Sequence, residues 1–150
     1  MDAYKAPEST VEIETIEVKP IKGIVLSLLV ATVLMVILST ILGIVFAITQ
    51  GINPEIEDAL ETALANDVQF LAIDMLMSFL IMVLSGRMLA GYIPGSEKRY
   101  GMVFTVIALI LYIIPMVLTG SFSIYPFWYS AISIGTLPVA IYIGIKLKTI

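Results

Sequence analysis

The chain has no cysteine and no histidine. The first absence removes disulfides, thiolate metal sites and thiol nucleophiles. The second removes imidazole metal ligands, haem ligation through histidine and most general acid–base catalysis near neutral pH. Charge is scarce as well: 13% of the 150 residues carry it, against about 25% in soluble domains. Basic residues are the scarcest. The only ones are Lys5, Lys19, Lys22, Arg87, Lys98, Arg99, Lys146 and Lys148, with none between Lys22 and Arg87. A serine–histidine pair is therefore impossible. No glycine-rich phosphate loop, metal-ligand spacing or dinucleotide fingerprint is present. An aspartyl intramembrane protease needs two acids sharing one site, and only Asp74 falls deep inside a long apolar run. The chain is expected not to be an enzyme, with no catalytic residue, no cofactor and no metal site.

What is abundant is apolar surface. The chain is 59% hydrophobic with a mean hydropathy of +1.04. The excess sits in runs of about 20 residues, the length that crosses ~30 Å of hydrocarbon at ~1.5 Å per residue. Four spans are expected, at about 21–49, 68–93, 100–119 and 125–147, which gives a transmembrane domain over 21–150. Residues 1–20 read as an acidic cytoplasmic tail, too polar for a secretory signal. Its composition suits disorder, while the alternation of Val11, Ile13, Ile16 and Val18 with Glu12, Glu14 and Glu17 would suit docking as an added strand. Gly51, Asn53 and Pro54 break the pattern after the first span. Asn53 can cap a helix that starts at Pro54, and 54–65 reads as a short external amphipathic helix.

The basic residues fall in the tail, around the connection between spans two and three, and at the C-terminus. With four crossings these segments share one side, which the positive-inside rule makes cytoplasmic. The expected fold is all-α: an integral membrane four-helix bundle, up-down-up-down, with both termini in the cytoplasm. The acidic 51–67 connection faces out. The aromatic cluster Phe122, Tyr125, Phe127, Trp128 and Tyr129 suits the outer interface. Arg87 lies near the inner end of its span, where its side chain can reach the headgroups.

Polar residues inside the spans recur in sevens, which returns to nearly the same helix face. The stripes are Thr32, Ser39, Gly43 and Gln50; Asp67, Asp74, Ser78, Ser85 and Tyr92; Gly101, Thr105, Tyr112 and Thr119; and Tyr129, Ser133, Ala140 and Gly144. Lipid cannot hydrogen-bond, so the stripes should face one another. Small residues four apart, Ser39 with Gly43 and Ala47, Gly86 with Ala90, and Ala140 with Gly144, would let backbones approach closely.

Asp74 is the costly residue. A central acid costs about 2.5–3.5 kcal/mol on the insertion scale, and Arg87 lies ~20 Å further along the same helix. The acid is expected as a neutral group hydrogen-bonded to seam hydroxyls or to tyrosines of neighbouring helices. Three roles stay open for it, a structural hydrogen bond or water-facing end, a proton or cation site, and a contact with a partner subunit, with Ser78, Ser85, Thr105, Tyr112 and Ser133 as the candidate companions. Pro115 and Pro138 each free a carbonyl one turn earlier and are expected as kinks, either ordinary ones or ones that shape an ion path. Methionines cluster in the second span, at Met75, Met77, Met82 and Met88. Thioethers can hold Cu(I), and equally they fill irregular gaps.

The run Gly86-Arg87-Met88-Leu89-Ala90-Gly91-Tyr92-Ile93-Pro94-Gly95, followed by Gly101 in the next helix, resembles a glycine-rich hairpin of small prokaryotic four-span membrane proteins of uncharacterised function. That resemblance implies an architecture in a prokaryotic cytoplasmic membrane and nothing about chemistry. The residues leave three functions open: a non-enzymatic structural or accessory subunit, a small transporter or channel coupled through Asp74, and an anchor that recruits a partner through its tail. The expected partners are the lipid bilayer and further membrane subunits, identical or not, with no nucleic acid.

Overall fold

A computed structural model describes residues 19–52 and 57–149. The acidic tail to residue 18 and the Asn53–Pro54 helix start lie outside the described residues. Six helices occur among the described residues: α1 (Pro20–Gln50), α2 (Glu57–Asn66), α3 (Val68–Ala90), α4 (Glu97–Leu118), α5 (Ser121–Ile124) and α6 (Phe127–Thr149). Four of them, α1, α3, α4 and α6, are long and apolar enough to cross a membrane.

Local chemistry sets the ends. Pro20 opens α1 at a first-turn position where its missing N–H costs nothing. Gly51, at φ 66°, closes the helix; its N–H reaches the Ile48 carbonyl and the Ile52 N–H reaches Ala47, a Schellman closure. Asp67 caps α3, its Oδ1 accepting from the Phe70 N–H at 2.7 Å. Asp67 is thus a helix cap and not a member of the α3 seam. The third spanning helix starts three residues earlier than its apolar run, because Glu97, Lys98 and Arg99 continue the helix beyond the hydrophobic part. The second stops at Ala90, and the turn through Gly95 (φ 76°) follows.

α3 packs most extensively on α6 and next on α1, while α4 rests chiefly on α6. The first of these interfaces is a backbone contact. A Cβ on Gly86 would strike the Ile141 carbonyl, and one on Gly144 would strike the Val83 carbonyl and come within 2.8 Å of the Arg87 nitrogen. Ala90 and Ala140 lie buried beside them. The four-residue spacing of small residues therefore meets in a single crossing, where van der Waals contact between main chains provides the cohesion.

The inward face of α1 is Gly23, Ser27, Ala31, Gly43 and Ala47. This corrects part of the expected stripe: Thr32 and Gln50 are exposed, whereas Gly43 is buried and Ser39, although exposed, turns its hydroxyl to Asp74 of α3. Close approach selects the smallest side chains. A hydroxyl on the outer face finds its own helix instead, as Thr49 does by donating to the Phe46 carbonyl at 2.8 Å.

The large apolar side chains point outward. Val25, Leu29, Leu76, Leu80 and Leu111 are all at least half exposed, while Ala31, Ala90, Ala108 and Ala140 are buried with Phe104 and Ile141. Contiguous apolar surface of this extent is untenable in water and ordinary in lipid. The two ends of the molecule differ in charge. At one end the Lys19 N–H donates to the Tyr92 carbonyl at 2.9 Å, joining the start of α1 to the turn that precedes Lys98 and Arg99. At the other, Phe46 and Phe70 meet edge to face at 5.3 Å, near the acidic α2.

Candidate functional site

Asp74 sits half-buried on α3, two turns from the Asp67 cap. Both of its carboxyl oxygens accept a hydrogen bond. Ser39 of α1 donates to Oδ1 at 3.2 Å, and the Tyr129 hydroxyl of α6 donates to Oδ2 at 2.6 Å. The carboxyl therefore ties three spanning helices together. Tyr129 is itself fixed by packing: its ring lies 5.3 Å from Tyr125 and 6.2 Å from Trp128, over Phe70 and Leu71.

Beside the carboxyl lies a cavity of about 180 Å³, large enough to admit water. Ser78, Tyr112, Ser133 and Thr136 contribute to its wall along with Asp74, Ser39 and Tyr129, so all four spanning helices take part. Met35, Met75 and Met82 complete the apolar side. Towards the basic end, Ile81, Phe104, Ala140 and Ile141 belong to the buried apolar core.

The structure thus brings together four of the six residues expected around this site: Asp74, Ser78, Tyr112 and Ser133. The other two serve elsewhere. Ser85 is fully buried in the α1–α3 contact and donates to the Ser27 carbonyl at 2.9 Å. Thr105 donates to the Gly101 carbonyl one turn back in its own helix, at 2.9 Å. Neither proline reaches the cavity. α4 and α6 continue through Pro115 and Pro138; the Pro115 carbonyl accepts from Thr119, and Pro138 lies in a separate groove between the two helices. The carbonyls that the prolines free belong to Leu111 and Ile134, which are not part of the cavity wall. Ser39 and Tyr129 complete the site. Both fall on stripes of seven, so their signal is in the sequence; Thr136 falls on none.

The electrostatics at this end are one-sided. Burial raises the Tyr125 phenol above its ordinary value, and the Glu61 and Asp74 carboxyls push the same way, followed by Tyr112. Along their helices, at ~1.5 Å per residue, Arg87 lies roughly 20 Å from Asp74 and Arg99 roughly 20 Å from Tyr112, while Lys22 lies roughly 25 Å from Ser39 and Lys146 roughly 25 Å from Tyr129. No group of three or more histidine, cysteine, aspartate or glutamate side chains that could hold a metal ion occurs among the described residues. One carboxylate ringed by neutral hydroxyls can hold a proton, a small monovalent cation or water.

Comparison of the chain with family models, with curated proteins and with solved structures yields no match.

Proposed function

We propose that this chain is a non-enzymatic multi-pass protein of the cytoplasmic membrane, with both termini and the 91–99 connection in the cytosol, whose working element is the Asp74 cavity. In that reading the cavity takes up a proton or a small monovalent cation from the non-cytoplasmic side, as part of a small transporter. The observation that carries it is a single membrane-embedded carboxyl in a cavity walled by hydroxyls from every spanning helix. A carboxyl serving only to lock helices would need its two donors and no adjoining space. The acidic mouth, with Glu61 and Asp67 and no basic residue in the 51–86 stretch, favours cations over anions. The test is flux in liposomes, read with a pH-sensitive dye and with a sodium-sensitive dye. Wild type is expected to carry one of the two ions, Asp74→Asn to abolish that flux while unfolding at a similar temperature, and Asp74→Glu to retain part of it. Equal flux in wild type and Asp74→Asn overturns the reading.

One observation favours the second reading, a structural or accessory subunit. Along their helices, Ile81, Phe104 and Ile141 lie between the cavity residues and the basic end, buried in the apolar core, a layer that a structural bundle needs and an ion path does not. Absence of flux together with loss of stability in Asp74→Asn would support that reading.

A further inference from the structure

α4 touches α6 closely at Gly101, where an added Cβ would come within 2.6 Å of the Ile145 methyl. Beside that contact lies a groove of about 670 Å³, floored by Gly101, Thr105 and Pro138 and rimmed by Lys98 and Lys146. A second trough of about 650 Å³ lies along α4 with Lys98 and Arg99 at its head and Met102 and Val106 along its wall. Both hollows have cations at one end and a mainly apolar strip along a helix of membrane-spanning length. Lys146 stands 5.7 Å over the Tyr142 ring and Arg99 5.6 Å over Tyr100, the amphipathic pairing expected at headgroup depth. Glu97 also lines the groove and keeps its charge while accepting the Gly95 N–H at 2.8 Å, so with Lys98 and Lys146 (two positive, one negative) the lining carries a net charge of +1.

We propose that the α4–α6 groove is a binding site for an anionic phospholipid, with its phosphate between Lys98 and Lys146 and an acyl chain laid over Gly101 and Thr105. The charge complementarity selects the occupant. Basic pockets between spanning helices hold anionic headgroups, and the apolar floor has no use for a soluble phosphate. The site is separate from the Asp74 cavity and does not depend on ion binding there.

The experiment is native mass spectrometry of the full chain, released from mixed micelles that contain equal phosphatidylglycerol and phosphatidylcholine. Wild type is expected to keep phosphatidylglycerol after phosphatidylcholine has been stripped. Lys98→Gln with Lys146→Gln is expected to lose that preference, roughly five-fold for each cation removed. Arg87→Gln, an exposed cation outside the groove, is expected to keep it. Equal retention of the two lipids by wild type overturns the proposal and needs no variant. An undiminished preference in the double variant also overturns it. So does full displacement of phosphatidylglycerol by millimolar inorganic phosphate, which would mark a headgroup-only anion site.

Discussion

Tyr129 and Ser39 hold the same carboxyl with unequal geometry. The Tyr129 bond is short, at 2.6 Å and part-buried, whereas the Ser39 bond is 3.2 Å and exposed. Hydrogen bonds between membrane helices average about 0.6 kcal/mol, and those to charged groups elsewhere reach about 1.5–3 kcal/mol. Tyr129→Phe is therefore expected to cost about 1 kcal/mol and Ser39→Ala only a few tenths, as measured by equilibrium unfolding in mixed micelles. Equal costs would mean that packing of the Tyr129 ring, and not its hydroxyl, holds α6 to α3. Asp74 itself is legible in the sequence, because an acid in an apolar run is conspicuous whatever the fold. Its partners are less so. Serine or threonine in a membrane helix can satisfy its hydroxyl on its own backbone, as Thr105 and Thr136 do, and nothing local distinguishes those from Ser39.

Among elements, the α3–α6 crossing offers the sharpest contrast, because glycines in similar helices sit in different surroundings. Gly144→Ala drives a methyl into the Val83 main chain, which cannot move aside cheaply, so a loss of about 1–3 kcal/mol is expected. Gly101→Ala meets only the flexible end of Ile145 and should cost less. Gly135 is exposed with nothing near, so Gly135→Ala should be neutral or stabilising by up to about 1 kcal/mol. Thermal unfolding of the three variants in one detergent gives the order directly; a Gly144→Ala protein as stable as Gly135→Ala would refute the backbone contact. The existence and approximate extent of the spanning helices follow from hydrophobic length, and the small pairs Gly86/Ala90 and Ala140/Gly144 are visible as pairs. Which helix each pair meets is not, since a glycine advertises closeness without naming the neighbour. The α1 face shows the same limit. Spacing in sevens selects Ser39, which does meet Asp74, but also Thr32, which is exposed, while burial selects Gly23, Ser27 and Ala31, because interhelical distance rewards small volume over polarity.

Across the whole molecule, the basic residues from Lys19 onward gather at one end and the acidic α2 with the Asp74 cavity at the other. The proposed orientation follows from that polarity, and the cysteine-free chain makes it easy to check. A membrane-impermeant maleimide is expected to label Ser123→Cys in intact cells, and Lys148→Cys only after permeabilisation. The reverse pattern would invert the molecule and with it the side from which the Asp74 cavity is reached. The sequence by itself determined that the described chain is helical, that four segments match the thickness of a bilayer, and that charge is sorted between their ends, because these depend on composition and period along a single strand of residues. Only the tertiary structure decided that α6 lies against both α3 and α4, that Ser39 and Tyr129 converge on Asp74, and that the prolines stand apart from the cavity. Those facts depend on which surfaces approach closest, and in an apolar solvent that choice rests on the fit of small side chains and main chain between helices far apart in sequence.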